Sequence, residues 1–188
     1  MPKAVHLQLE AEAEFQAVVD AESRLLGHDN SETLLSRHSL AWVRHARGHH
    51  DRAHAEFVAV LAARRRMLGA EHPSTLSTRH ALGLVRHAQG RHRQAEAELH
   101  DTLTLRGRIL GHDHPKTLAT RHEYARVLHT LSRLDQARAE FDLALRDRER
   151  VLGDAPPRHH RHPRRAHRPR PRPPAKPVAL DRPHRQVA

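Results

Sequence analysis

A nine-residue segment recurs every 42 residues along this chain of 188 residues. It reads LGHDNSETL from Leu26, LGAEHPSTL from Leu68 and LGHDHPKTL from Leu110, and a fourth copy opens as LGDAPP at Leu152 before the pattern is lost. Self-similarity at a period of roughly 20–50 residues is typical of a solenoid, in which each unit buries its apolar face only against its neighbours. The period therefore predicts a stack of repeats that presents a surface to a partner and carries no reaction centre.

Each repeat is predicted to be a pair of helices. When the copies are aligned, the apolar positions that recur in each are separated by three, six and seven residues, which fits one helix of about four turns. This first helix starts at the Ser or Pro before Thr33, Thr75 and Thr117 and stops at Gly48, Gly90 and Ser132. The second helix begins with small residues and then carries a large one, at Phe57, Leu99 and Phe141. We therefore expect an all-α superhelix with three helical hairpins over residues 27–152.

The N-terminal end of the chain enters this pattern halfway through a repeat. Residues 10–26 align with the second helix of the later hairpins and follow a lead of residues 1–9. A second helix without its first helix exposes the face that its partner would cover. We expect such a helix to need a cap, a further upstream segment or self-association with a second copy.

The C-terminal tail, residues 153–188, has a different composition. Residues 155–188 contain nine Arg, one Lys and one Asp, which supply +9 of the formal charge of +11, and nine of the 12 Pro. A segment with so few apolar residues cannot bury enough surface to offset the entropy of ordering it. We therefore expect the tail to be disordered.

Two hypotheses describe the origin of this tail. In one, it is a basic arm that binds nucleic acid or another polyanion through counterion release, without sequence preference because it has no aromatic residue to stack on bases. In the other, it is a fourth repeat read out of frame, and the chain is a truncated array without present function. Pro157 lies 42 residues after Pro115, and GC-rich codons for the next six residues, read one base later, encode Asp-Thr-Thr-Ala-Thr-Arg, which resembles residues 116–121.

Several functional classes are disfavoured by what the sequence lacks. The chain has no Cys, which excludes disulfides, thiolate metal sites and cysteine nucleophiles. It has no apolar run long enough for a signal peptide or a membrane span, and we expect a soluble, cytoplasmic protein without membrane contact. No nucleophile–base–acid set keeps a fixed register and no glycine-rich phosphate loop is present, so the sequence predicts neither an enzyme nor a bound cofactor.

The repeat resembles the tetratricopeptide repeat, in the 42-residue form of kinesin light chains and many bacterial proteins. The resemblance rests on the LGxxHPxTL linker and on a set of positions that recur in the later copies: Leu40-Ala41, Gly48, Ala53, Phe57 and Leu61. One position departs from the family pattern, because Arg44 and Arg86 stand where an aromatic residue is expected. The resemblance implies a superhelix that mediates protein–protein contact.

The resemblance also implies where a partner binds. Members of this family commonly bind peptides along the concave face formed by the first helices, so we expect an unidentified protein or peptide partner there. The matching residues in the three hairpins are Leu35, His38, Trp42 and His45; His80, Leu84 and His87; and His122, Arg126 and His129. Trp42 is either an anchor for the partner or a core residue, and the sequence leaves both interpretations open.

Six of these residues form two columns of histidines, at 38, 80 and 122 and at 45, 87 and 129. Residues seven apart point in nearly the same direction on a helix, so both columns lie on one stripe. One interpretation is a groove of imidazoles that donates to peptide carbonyls, attracts acidic partners and loses charge as the pH rises through about 6.5. The other is that duplication of the repeat copied these histidines without any function.

A metal site is not predicted from these columns. Histidines seven residues apart are separated by about 10 Å along a helix, which is too far for one ion with ligands about 2 Å away. Closer pairs, His50 with His54 and His112 with His114, do not recur through the repeats.

Overall fold

The computed structural model describes residues 2–153, with side chains over residues 11–150. The described residues form seven helices and no strand: α1 (Pro2–Leu26), α2 (Ser31–Ala46), α3 (His50–Leu68), α4 (Pro73–Ala88), α5 (His92–Leu110), α6 (Pro115–Thr130) and α7 (Leu134–Gly153). All seven lie in one unit, Met1–Pro156. The predicted all-α fold is confirmed, and the helices pack in the pairs α2–α3, α4–α5 and α6–α7.

The first helix is longer than the sequence predicts. α1 begins at Pro2 instead of residue 10, so residues 2–9 of the expected lead are helical, which fits the preference of proline for a first helical turn. Among the described helices α1 packs against α2, and Phe15, Val18 and Leu25 on it are exposed. Residues 154–188 lie outside the described part of the chain, so the expected disorder of the tail and both hypotheses on its origin stay predictions.

The linker that precedes each first helix supplies a side chain that caps it. The Asn30 side chain accepts a hydrogen bond from the Glu32 amide at 2.9 Å, and the His72 and His114 rings accept from the second following amide at 3.2 and 3.1 Å. A side-chain acceptor here satisfies one of the amides that a helix leaves unpaired at its N-terminus. The histidines at 72 and 114 therefore have a structural role.

The end of each first helix is marked by a residue in the left-handed region. Gly48 and Gly90 have φ of 80° and 75°, and Ser132 in the same column has φ of 60°. The amide after each of these residues bonds back to the carbonyl five positions earlier, as in His49 to Arg44 at 2.9 Å. This arrangement is the Schellman motif, which glycine favours because it has no Cβ. It turns the chain sharply, so that the second helix packs against the first.

Each helix packs on its neighbours in sequence, and the first helices also contact one another. Within residues 2–153, α2 contacts α4 and α4 contacts α6, whereas the second helices make no such contact. The first helices are therefore the more closely spaced set, which places them on the inner side of the array. The core between the first two hairpins includes Phe57, Leu82 and Val85, packed with small residues at Ala41, Ala53 and Ala81.

Ion pairs hold the two helices of each hairpin together. Arg37 lies 2.6 Å from Glu56, Arg79 lies 2.5 Å from Glu98, and the same column in the third hairpin pairs Arg121 with Glu140 at 3.2 Å. The departures from the family pattern join this network. Arg86 lies 2.9 Å from Glu98, and Arg44 lies 3.2 Å from Glu12 and 3.6 Å from Glu56. Half-buried ion pairs thus occupy the space of the expected aromatic residue.

A buried arginine joins each hairpin to the next one. Arg106 of α5 is 3% exposed and donates to the Lys116 carbonyl at 2.9 Å and the Thr120 hydroxyl at 2.6 Å on α6, and to the Leu76 carbonyl at 3.3 Å on α4. Arg64 of α3 makes the equivalent bonds one repeat earlier, to Ser74, Thr78 and Leu34. These two arginines, which we call the junction arginines, donate to carbonyl and hydroxyl groups of the first helices on both sides of the junction. Burial lowers the pKa of Arg106 to about 10.

Candidate functional site

Two histidines of the first column, His38 and His80, lie against the junction arginines. The Nδ1 atom of His38 lies 3.5 Å from the Arg64 guanidinium, and that of His80 lies 3.3 Å from the Thr120 hydroxyl, which also accepts from Arg106. Burial and the neighbouring guanidinium lower the pKa of both histidines to about 4. The interpretation in which the columns lose a charge near pH 6.5 is therefore not supported at His38 and His80, whose lowered pKa leaves both rings neutral at that pH.

Trp42 is part of an aromatic cluster at the first hairpin. Its ring stands edge-on to Phe57, with centroids 5.6 Å apart, and its Nε1 donates to Nε2 of His38 at 3.1 Å. The indole is half-buried and packs against the core between the first two hairpins. This position gives Trp42 a packing role, and the part of the ring that remains exposed borders His45, 5.6 Å away between centroids.

Two histidines of the second column, His45 and His87, form close pairs that the sequence did not indicate. Nδ1 of His45 lies 3.1 Å from Nδ1 of His50, and the same distance separates His87 from His92. Each pair spans the turn between a first and a second helix. Burial lowers the pKa of His45 and His87, and the facing histidine lowers it further. In the third hairpin Leu134 stands at the position of the second histidine, and His129 is exposed.

A pocket of about 400 Å³ brings together predicted residues from two successive hairpins. It is lined by His87 of α4, by Arg126, His129 and Thr130 of α6, and by Phe141 of α7. Arg126 is exposed and its guanidinium lies 2.9 Å from the Glu123 carboxylate. The pocket therefore combines a cation, imidazoles and one aromatic ring.

Phe141 is the residue of this pocket that sequence reasoning missed. The sequence assigns it to the core, and its counterpart Phe57 is fully buried, as is Leu99 in the same column. Phe141 is half-buried in the structure. The repeat pattern treats Phe141 and its two counterparts alike, so it did not reveal this difference in burial.

The remaining predicted residues lie apart from this pocket or at its edge. Leu35 is exposed and lines a smaller cavity of about 210 Å³ with Arg64 and Met67, at the junction of the first two hairpins. Leu84 is half-buried. The His122 ring stands edge-on to Phe141 with centroids 5.4 Å apart. The structure thus places the ten predicted residues in a series of separate environments along the first helices.

Other classes of site were also sought within residues 2–153. This part of the chain contains no group of three or more His, Asp or Glu side chains that could hold a metal ion. Nor does any of its helices combine the length and apolar character needed to cross a bilayer. The pocket at α4, α6 and α7 is taken as the candidate site because it brings together the predicted residues His87, Arg126 and His129.

Comparison with known proteins identifies the repeat. Two family models described as "Tetratricopeptide repeat" match the chain, one over residues 33–74 and the other over residues 75–150. Among curated proteins no significant match is found.

Solved structures give the same result for the fold. The nearly identical TPR-like repeats of a Podosopora anserina protein, described as a kinesin light chain, match with a TM-score of 0.65 at 26% identity, over 79% of this chain and 71% of that one. A variant of that protein matches with a TM-score of 0.68 at 25% identity, over 80% and 71%. BtubC (BKLC) from P. vanneervenii matches with a TM-score of 0.70 over 94% of this chain and 65% of that one, and its 15% identity shows the fold alone.

Proposed function

Because the chain belongs to the tetratricopeptide-repeat family in its kinesin-light-chain-like form, we propose that it binds a peptide segment of a protein partner along its first helices. Repeats of this family are generally scaffolds for protein interaction, and their fold is typically non-catalytic. The observation that carries the proposal is the pocket formed by His87, Arg126, His129, Thr130 and Phe141. A cytoplasmic location remains a prediction, which fractionation of native cells checks.

The chemistry of the pocket indicates the kind of peptide. Arg126 is exposed and offers a fork of N–H donors that suits a carboxylate, and its intrahelical partner is the half-buried Glu123. Phe141 offers an apolar face next to it. A ligand that pairs an acidic side chain with an apolar or aromatic one satisfies both features. The imidazoles of His87 and His129 in the same pocket offer N–H donors for peptide carbonyls.

Selection from a random-peptide phage library tests this proposal. The full-length protein is the target, and fluorescence anisotropy then measures the Kd of the selected peptides for two charge-reversal variants. We expect Arg126→Glu to raise the Kd by about tenfold or more, because a charge-assisted hydrogen bond contributes about 1.5–3 kcal/mol. Arg146→Glu, the same charge change at an exposed position of α7 outside the pocket, is the control and should change the Kd less than about twofold. Equal losses in both variants, or none in either, would contradict the proposal.

The tail supports a second candidate function, polyanion binding. Its net charge of +9 over residues 155–188 is the observation that favours it. A gel-retardation assay with the full chain and a chain ending at Gly153, at two salt concentrations, measures the contribution of the tail. Retardation that is independent of the tail would refute this function.

A further inference from the structure

The two close histidine pairs have a geometry that a metal ion can use. Their Nδ1 atoms are 3.1 Å apart in both hairpins. Two nitrogens bound to one ion at about 2.05 Å lie about 2.9 Å apart for a right angle and about 3.3 Å apart for a tetrahedral angle. The observed distance falls between these values, so the separation of the two nitrogens suits either geometry to within a few tenths of an ångström, and rotation of the rings directs both lone pairs to the ion.

We propose that His45 with His50, and His87 with His92, each chelate one late transition-metal ion of the Cu²⁺, Ni²⁺ or Zn²⁺ class. In the metal-free pair one Nδ1–H donates to the lone pair of the other Nδ1. When an ion binds, the donor ring moves its proton to Nε2, so both Nδ1 lone pairs face the ion with no net change in protons. Water fills the other coordination positions, because no third His, Asp or Glu completes the group within the described residues.

The chemistry of the pairs indicates which ion they prefer. Imidazole nitrogens suit Cu²⁺, Ni²⁺ and Zn²⁺, and the affinity of such ligands generally peaks at Cu²⁺ in this series. We therefore expect both pairs to bind Cu²⁺ more tightly than Ni²⁺ or Zn²⁺.

The only tryptophan of the chain reports on the first pair. The Trp42 ring centroid lies 5.6 Å from that of His45, and a paramagnetic Cu²⁺ ion at the pair quenches its fluorescence. In a titration of the full chain with Cu²⁺ at about pH 7.5, His50→Leu should raise the Kd for quenching by about tenfold or more, the size of loss that disturbing a metal's ligand set causes. Leucine is accommodated by the fold at this position, as Leu134 of the third hairpin shows. His54→Leu, one helical turn later and outside the pair, is the control and should leave the titration unchanged.

A gain of binding makes the test independent of any loss of folding. Leu134→His places a histidine opposite His129 in the third hairpin, at the column of His50 and His92. Equilibrium dialysis should then count one more Cu²⁺ per chain than the wild type, and the histidines of the tail cancel in this difference. The proposal is overturned if His50→Leu quenches like the wild type, if His54→Leu shows the same loss, or if Leu134→His adds no ion.

Discussion

Replacement of a junction arginine tests how successive hairpins are held together. Arg106→Met keeps most of the aliphatic stem and removes the guanidinium. The two short bonds, at 2.9 Å to the Lys116 carbonyl and 2.6 Å to the Thr120 hydroxyl, contribute about 1.5–3 kcal/mol each as bonds from a charged donor. Against this, burial lowers the pKa of Arg106 to about 10, and a fall of this size corresponds to about 3 kcal/mol for holding the charge in the junction. The balance predicts a loss of about 2 kcal/mol.

The same column provides a matched control. Arg148 lies 42 residues after Arg106 and is exposed, so Arg148→Met should change stability by less than about 0.5 kcal/mol. Thermal unfolding followed by circular dichroism at 222 nm compares the two variants. A loss of about 2 kcal/mol lowers the Tm by about 4–8 °C in a protein of this size. If Arg106→Met lowers the Tm no more than Arg148→Met does, the junction arginines do not hold the hairpins together.

Three further changes test other parts of the structure by urea denaturation. Ser132 has a φ of 60° where Gly90 in the same column has 75°. Ser132→Gly should therefore raise the free energy of unfolding by about 1 kcal/mol, and Gly90→Ser should lower it by a similar amount. Changes of the same sign would refute the strain at Ser132. A Cβ on Gly83 would lie 2.7 Å from Leu99 Cγ, so Gly83→Ala should lower the free energy of unfolding by about 1–3 kcal/mol. Adding Leu99→Phe restores the Ala–Phe pairing of the flanking hairpins and should recover part of this loss. A Gly83→Ala variant as stable as the wild type would show that Leu99 repacks freely. The pKa of His80 is about 4 in the fold against its ordinary 6.5, so its neutral form contributes stability that is complete above pH 6.5 and lost as the pH falls through about 4. His80→Gln should therefore flatten the rise of the urea midpoint between those two pH values. An unchanged slope would contradict the burial of that ring.

The hairpins follow directly from the sequence, because periodic apolar positions and turn residues act locally. Gly48 ends α2 because glycine adopts a positive φ at little cost, and this property does not depend on the rest of the fold. The junction arginines could not be identified in this way. Arg64 is one of three consecutive arginines, and a run of charge normally indicates a solvated face. Its burial depends on carbonyls of α2 and α4, which meet only after the hairpins stack.

The candidate site was predictable in part for the same reason. Arg126 and His129 share a helix face, so their register follows from helical geometry. The approach of His45 to His50 is set by the turn at Gly48 and not by a period, so spacing alone did not reveal it. The state of His80 depends on Arg106, which is 26 positions away in the chain.

Chemical-shift mapping tests the proposed binding face most directly. The measurement records the backbone amide spectrum of the full chain, labelled with ¹⁵N, as a library-selected peptide is added. Binding along the first helices predicts that the largest shifts fall on α4 and α6, around His87, Arg126 and His129, and that they are absent from the spectrum of the Arg126→Glu variant at the same peptide concentration. Largest shifts on the outer faces of α3 and α5, or in residues 154–188, would contradict it.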